Sequence, residues 1–436
     1  MANVENLGAL ERRVSMTLPA ADIDRQVDER LKKLARNVRM PGFRPGKVPM
    51  KIVAQTYGQQ VRSEVLTDAV QKSFSDAVKE ANLRVAGYPR IERKDVSNES
   101  ALEFSATFEI YPEVKVGDLA GVTIERPKVQ VDDAAVERTV EILRKQRTRY
   151  VETQRAAKDD DRVTVDFVGT IDGQTFQGGK ADGFAFTLGE KRMLPEFEEA
   201  TRGMSPGETK QFGLKFPDDY HGKDVAGKQA TFTLTLKKIE EPQLPPLDAE
   251  FAKALGVADG DLAKMRAEVR TNVEREVKKR VEAKVKTQVL DALVNATPVE
   301  LPKSLVDMEA QQLVERARAD LQSRGMKPEH IPAIGPEAFT ETAKRRVTLG
   351  LIIGELSRTE NLQPKPAEVR AAVEAEAATY ESPAEVVKWF YMQPQRLQEM
   401  EGVALESNVV KWVLSKANVV DKDTPFEELM ESGGAA

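Results

Sequence analysis

Between residues 158 and 241 the chain changes its periodicity from the ~3.6 residues of a helix to the two of a strand. Val163-Thr-Val-Asp-Phe-Val-Gly169 leads into Ile171-Asp-Gly-Gln-Thr-Phe176. Phe184-Ala-Phe-Thr-Leu188 and Ala230-Thr-Phe-Thr-Leu-Thr-Leu236 then carry the same apolar–polar alternation. Each run reads as a half-buried strand. Asp172-Gly173 is a hairpin signal, because the tight two-residue turn needs residues that accept positive φ. Only Leu194-Pro-Glu-Phe-Glu-Glu-Ala200 reads as helix. The expected form is an antiparallel sheet wrapped on one short helix. A strand-rich island with helical sequence on both sides forces a multidomain α+β chain, and 436 residues suit roughly three domains.

Several chemistries are poorly supported. There is no cysteine, which removes disulfides, thiolate ligands and a thiol nucleophile. The two histidines, His221 and His330, are far apart in sequence, so a zinc site or a Ser-His triad has little to build on. Neither a metal nor a cofactor is expected, and no Walker-type phosphate loop is visible. Met1 to Leu10 lacks the basic start and apolar core of a signal peptide. The longest apolar run, Val347 to Gly354, falls far short of the ~20 residues that span a bilayer. A cytoplasmic protein with no membrane partner is the expectation.

By residue type, the strand aromatics of the island are either sheet core or the wall of an apolar pocket. Together, Val165-Asp-Phe-Val-Gly169, Phe176, Leu188-Gly189, Met193-Leu-Pro-Glu-Phe-Glu198, Gly203-Met204, Gly207-Glu208, Phe216-Pro217 and Tyr220-His-Gly222 resemble the FKBP-type peptidyl-prolyl isomerases along the whole segment. The resemblance implies a pocket walled by Phe167, Phe176, Phe186, Met193, Leu194, Phe197, Tyr220 and Phe232, with His221 beside Tyr220. Phe197 stands where stand-alone members usually carry Trp, Phe167 where they carry Tyr, and Gln177 where they carry Asp, so a more apolar pocket is implied. Such residues suit the reaction. An X-Pro bond turns over against a barrier of ~20 kcal/mol and needs no proton or nucleophile. Its twisted transition state has lost amide resonance and is less polar than the planar bond, so a dry aromatic pocket favours it.

Residues 1–112 read as an α+β unit. Val14, Met16 and Leu18 alternate as a strand. Asp22 is placed to cap a helix whose apolar face is Ile23, Val27, Leu31, Leu34 and Val38. Helix resumes from Ile52 to Val78 with a break expected at Gly58, and Leu102, Phe104, Ala106, Phe108 and Ile110 alternate strictly. Between the helices lies Gly42-Phe-Arg-Pro-Gly-Lys-Val-Pro49, whose glycines and prolines permit only a loop. From Arg30 to Lys51 there are eight basic residues and no acidic one, in a chain with 65 basic and 71 acidic residues overall. A cationic tip carrying one aromatic, Phe43, suits a phosphate-rich surface; a solvated helix end is the bland alternative. Gly42, Phe43, Arg44, Pro45, Gly46 and Lys47 resemble the ribosome-docking loop of the trigger factor family, in which Lys usually fills the slot of Pro45.

Residues 113–150 read as a connector whose helix, capped by Asp132 or Asp133, runs through Val136, Val140, Leu143 and Tyr150. After a stiff linker at Pro242–Leu247 the chain is helical to about residue 418. Met265, Val269, Val273, Val277, Val281, Val285 and Val289 recur every fourth residue, a stripe that drifts about 40° per step and so meets several partners or an open groove. Helices ending at Gly325 and restarting near Phe339 form a hairpin arm. Ser382-Pro-Ala-Glu385 has the pattern of a capping box. Slender arms leave apolar residues exposed, which suits loose capture of unfolded chains. Ala343-Lys-Arg-Arg-Val347 and Gly350-Leu-Ile-Ile-Gly-Glu355 extend the trigger factor resemblance here.

That resemblance runs end to end. It implies a docking domain at 1–112, a connector at 113–150 belonging to the helical body, an isomerase domain at 158–241 and a helical chaperone domain at 242–436. The implied activity is ATP-independent holding of nascent chains, with isomerisation of their prolyl bonds. The implied partners are the large ribosomal subunit near its exit tunnel (ribosomal protein and rRNA), unfolded nascent polypeptides, and a second copy in a weak homodimer when free. A free isomerase-chaperone without ribosome docking and an RNA-binding assembly factor remain as alternatives.

Overall fold

The computed structural model describes residues 3–41, 43, 48–94, 101–220, 222–380 and 382–431. The chain forms two compact units: Met1–Arg126 with Ala283–Lys422, and Pro127–Glu282 with Asp423–Ala436.

The first unit opens on strands β1 (Asn3–Asn6) and β2 (Glu11–Pro19), helices α1 (Ala20–Asn37) and α2 (Met50–Glu80), and strands β3 (Val85–Lys94) and β4 (Ala101–Ile110). The strands make an antiparallel sheet in the order β1-β2-β4-β3, with Val14 opposite Ala106 and Met16 opposite Phe104. Ile23, Val27 and Leu31 of α1 bury their shared face against Val53, Val61 and Val65 of α2. The later turns of α2 place Val70, Phe74 and Ala77 on the sheet, where Phe74 meets Phe108 edge-on at 5.1 Å.

Two local expectations fail here. The helix does not break at Gly58; a lone glycine costs only ~1 kcal/mol in a helix, and the apolar face on either side of it outweighs that. Asp22 is not the cap either. Pro19 holds that position, and Asp22 lies in the first turn, paired with Arg25 at 3.0 Å, where its charge still suits the helix dipole.

Strand β5 (Thr123–Lys128) follows, then the second unit with α3 (Asp133–Gln146). Asp132 caps α3 by accepting from the Ala135 amide at 2.8 Å. The helix stops at Gln146, short of Tyr150, which belongs to β6 (Arg149–Thr153) and pairs opposite Pro242. There its ring lies under the Arg162 guanidinium at 4.3 Å, a contact a continued helix would forfeit. Strands β7 (Arg162–Ile171) and β8 (Gln174–Thr187), helix α4 (Pro195–Thr201), and strands β9 (Thr209–Lys215) and β10 (Gln229–Gln243) complete the strand-rich island. The order is β6-β10-β7-β8, with β9 also on β10. Asp172 and Gly173 both take positive φ, 50° and 79°, closing the β7–β8 hairpin as the sequence demands. The expected linker begins late, because β10 stays paired through Pro242 to Gln243.

Helix α5 (Ala249–Ala254), capped by Asp248, leads to α6 (Leu262–Ala296), one uninterrupted helix bearing the four-residue stripe. Met265, Val269, Val273 and Val277 pack with Val136, Val140 and Phe251 in the second unit. Val285 and Val289 are buried in the first. The drifting stripe thus meets several partners.

The rest of the first unit is helical: α7 (Lys303–Ser323), α8 (Thr340–Thr359), α9 (Pro366–Ala377), α10 (Pro383–Met392) and α11 (Pro394–Lys416). Helices α7 and α8 form the expected hairpin around Val306, Ala310, Leu313 and Ala343. Gly325 ends the outward arm at φ 88°. Ser382 precedes α10 but makes no side-chain cap, so the capping box does not form. Strand β11 (Asn418–Asp423) pairs with β5, tied by Arg126–Asp421 at 2.6 Å, and α12 (Phe426–Glu431) ends the described chain. Among the described residues no helix is long and apolar enough to cross a membrane.

Candidate functional site: an aromatic cavity in the strand-rich island

The alternation of β7 and β10 sends Val163, Val165, Phe167, Phe232, Leu234 and Leu236 to one face of the sheet, all buried. Helix α4 lies on that face. Leu194 enters it in extended conformation (φ −60°, ψ 142°) and Pro195 takes the first helical position, whose amide would be unsatisfied in any case. Phe197 is thereby driven into the sheet, leaving 2% of its surface exposed.

Rings converge around it. Phe167 meets Phe197 edge-on at 5.3 Å, Phe232 meets Phe197 at 5.7 Å, and Phe176 meets Phe232 at 6.1 Å. Phe216 packs on Tyr220 at 4.9 Å and on Phe176 at 5.9 Å. Two glycines let the rings approach. A Cβ on Gly169 would fall 2.6 Å from the Phe232 ring, and one on Gly179 would fall 2.9 Å from that of Phe176.

The result is an open cavity of about 630 Å³. Seven of the residues implied by the sequence line it: Phe167, Phe176, Met193, Leu194, Phe197, Tyr220 and Phe232. Phe186 lies outside the lining, buried behind the wall with its ring 5.9 Å from Phe197. His221 is outside the described residues. The sequence reading missed Leu214, Phe216 and Val225 as wall residues. Phe216 carries a signal that was available, since Phe216-Pro217 belongs to the island's motif set.

Lys191 and Arg192 stand at the lining as the only charged groups among the described residues, and no carboxylate joins them. Lys191 takes φ 56°, and Arg192 pairs with Glu190 at 3.3 Å. Among the described residues the cavity thus offers aromatic walls, a phenol and two cations, with no general acid–base pair. It suits a reaction that needs desolvation and shape.

The frame around the cavity is polar and tightly tied. Asp161 has a fully buried side chain and takes both Arg155 nitrogens at 2.6 Å, with the Lys158 amide at 2.9 Å. Burial alone would raise its carboxyl, but the hydrogen bonds from Arg155 and Lys158 outweigh that and hold it below the usual carboxylate range. The Asp161 carbonyl accepts from Leu188, and the Leu188 carbonyl accepts from Asp160. This fixes the strand that carries Phe186.

In the first unit, Phe43 is 38% exposed and its amide donates to Met40. Gly42, Arg44, Pro45, Gly46 and Lys47 lie outside the described residues. Of the nearby cations, Arg30 reaches Glu64 and Asp68 at 3.9 and 4.0 Å. Among the described residues, Lys32, Lys33, Arg36, Arg39 and Lys51 have no ion pair within 4.0 Å.

Comparisons with known proteins agree with this geometry. The model of the FKBP-type peptidyl-prolyl cis-trans isomerases matches residues 153–237. Models of the N- and C-terminal parts of bacterial trigger factor match residues 1–143 and 261–415. Trigger factor of Aromatoleum aromaticum is 55% identical over 432 residues, 99% of each chain. That of Paraburkholderia phymatum is 54% identical over 448 residues, covering both chains fully. That of Dechloromonas aromatica is 52% identical over 98% of this chain and 99% of its own. With an isomerase fold enclosing an aromatic cavity, and with relatives alike along their full length, this chain belongs to the bacterial trigger factor family and carries an FKBP-type peptidyl-prolyl isomerase domain.

Proposed function

We propose that this chain docks at the exit tunnel of the large ribosomal subunit, holds emerging polypeptides in an open state without ATP, and turns over X-Pro bonds within them. The observation that carries the docking half is electrostatic. Five cations around the α1–α2 loop, Lys32, Lys33, Arg36, Arg39 and Lys51, have no ion-pair partner among the described residues, and Phe43, between them in sequence, is exposed. Uncompensated cations gain most from a phosphate surface, because binding releases its condensed counterions. Gly42, Phe43, Arg44, Pro45, Gly46 and Lys47 are assigned to ribosome binding, with Phe43 and Arg44 as the anchor and Lys47 as a further cation.

In the isomerase half, Phe167, Phe176, Met193, Leu194, Phe197 and Phe232 enclose the prolyl ring, and Phe186 backs Phe197. The Tyr220 phenol orients a substrate carbonyl, with His221 next to it in sequence. Desolvation disfavours the planar, more polar amide relative to its twisted transition state. Residues 158–241 are assigned to this activity, 1–112 to docking, and 242–436 with the 113–150 connector to client holding. Exposed Met326, Trp389, Tyr391, Met392 and Val403 supply scattered apolar contacts for clients. Tethering raises the local concentration of these weak sites around the emerging chain.

Co-sedimentation with large ribosomal subunits tests docking. The wild type pellets, while a Phe43→Ala, Arg44→Ala double variant stays in the supernatant. If both stay in the supernatant at low salt, the chain is a free isomerase-chaperone and the docking reading is wrong.

A further inference from the structure

A second, larger cavity of about 960 Å³ lies on the other side of the segment that walls the aromatic one. Its apolar surface comes from Met193, Leu194, Pro195, Ala200, Phe212 and Gly213. Lys191, Met193 and Leu194 line both cavities, so the bent segment leading into α4 is a shared wall. Phe212 is the other link. It is half-buried, stacks on Phe232 at 5.9 Å with 18° between the rings, and meets Phe197 edge-on at 5.6 Å. Both of those partners line the aromatic cavity.

An extended client whose proline fills the aromatic cavity must pass over this ridge if it continues along the domain. A packed backbone layer is about 10 Å across and an extended residue advances about 3.4 Å, so two to three residues bridge the two cavities. The lining carries both signs, with Lys191, Arg202 and Lys210 against Glu196, Glu198 and Glu199, so it selects no net charge on the bridging residues.

We infer that the second cavity is a specificity subsite of the isomerase, holding an apolar side chain of the client (Leu, Met or Phe) two to three residues from the prolyl bond. The inference rests on the aromatic cavity being the isomerase site. The occupant follows from continuity: the two cavities share a wall, and the second is floored by a ring stacked on the first. Client chains that present an apolar residue near a proline, as unfolded segments do, are then favoured over polar ones.

Lys210 lines only the second cavity. It pairs opposite buried Leu234 and so shares the Phe212 face of β9, and its Nζ donates to the Ala200 carbonyl at 3.2 Å across the cavity, so a bulkier side chain at this position fills the cavity. The test measures prolyl exchange by NMR with the full-length chain. One substrate is a tetrapeptide with a single X-Pro bond. The others extend it on either side with Leu or Ser at the second and third positions from that bond. In the wild type, kcat/KM for the Leu peptide exceeds that for the Ser peptide by about tenfold on one side of the bond. Lys210→Trp abolishes that preference and leaves the tetrapeptide rate unchanged; if this variant does not fold, Lys210→Phe serves. Equal rates for Leu and Ser peptides on both sides in the wild type overturn the inference without any variant. So does a Leu preference that survives in a folded Lys210→Trp protein. Phe176→Ala separates the two readings. If it turns over the tetrapeptide as fast as wild type, the aromatic-cavity assignment fails; if it is slow while Leu and Ser peptides behave alike, only the subsite fails.

Discussion

The ring of Phe176 covers Gly179 so closely that a Cβ on the glycine would sit 2.9 Å from Cζ and 3.0 Å from both Cε atoms. Gly179 has ordinary φ, so its absent side chain matters for space alone. This glycine sets how far Phe176 settles into the cavity wall.

Gly179→Ala must therefore push Phe176 off its seat. Overpacking of this kind costs ~1–3 kcal/mol. Displacement of a wall residue by about an ångström lowers kcat/KM roughly ten- to a hundredfold. A prolyl-peptide exchange assay reads the rate and thermal unfolding reads the stability. A variant with wild-type rate would mean that Phe176 does not shape the reacting geometry.

Gly58 makes the opposite case. It sits inside α2 with nothing within 4 Å of where a Cβ would be. Gly58→Ala removes backbone freedom from the unfolded chain and adds no clash, so it stabilises by ~0.5–1 kcal/mol. Urea denaturation followed in the first unit's helices shows a higher midpoint with an unchanged slope.

These two glycines show where sequence reasoning reaches and where it stops. The Asp172-Gly173 turn was legible because its φ requirement is local. The break expected at Gly58 was wrong because long-range burial of Val53, Val61 and Val65 decides that helix. Ser382 has the pattern of a capping box yet forms no side-chain cap. The β5–β11 pairing joins segments nearly 300 residues apart, and neither short, charged strand announces its partner. In the cavity, strand alternation placed Phe167 and Phe232 on a buried face and only the family resemblance marked them as pocket wall, whereas Val225 sits in an irregular turn with no periodicity to mark it.

Asp161 predicts the acid response of the isomerase domain. Its folded carboxyl lies below the usual value, so its contribution is fully present above the unfolded value of ~3.9 and is lost as pH falls through the lower folded value. Glu240, paired with Arg162 at 2.8 Å and Lys238 at 3.1 Å, is held down likewise and acts in the same direction. Unfolding of this domain should steepen below about pH 4. Asp161→Asn leaves Arg155, about one third exposed, with Glu241 as its carboxylate partner at 3.2 Å, and costs ~1–3 kcal/mol at neutral pH. Its stability should also fall less on acidification than the wild type's, and a flat difference between the two curves from pH 7 to pH 3 would refute the assignment.

Glu109 ties the start of the α7–α8 arm to the sheet of the first unit. Pro302 precedes α7 and offers no side-chain cap. The carboxylate of Glu109 on β4 instead accepts from the amides of Lys303 at 2.9 Å and Ser304 at 2.7 Å, while the Ser304 hydroxyl donates to the Ala86 carbonyl at 3.0 Å. An anion at the first amides of a helix meets the positive end of its dipole. Burial alone would raise the Glu109 carboxyl, but hydrogen bonds from Ser304 and Lys303 outweigh it and keep it below its usual value. Glu109→Gln retains one acceptor and loses the charge, so it costs ~1–2 kcal/mol, read as faster amide exchange in the first turn of α7. The sign with pH follows from the lowered value: the carboxylate's advantage is intact above ~4.5, the unfolded value, and disappears as pH falls through the folded one. Exchange rates of wild type and variant should therefore converge on acidification. If they already coincide at pH 7, Glu109 is a bystander and the arm is held by the apolar contacts of α7 alone.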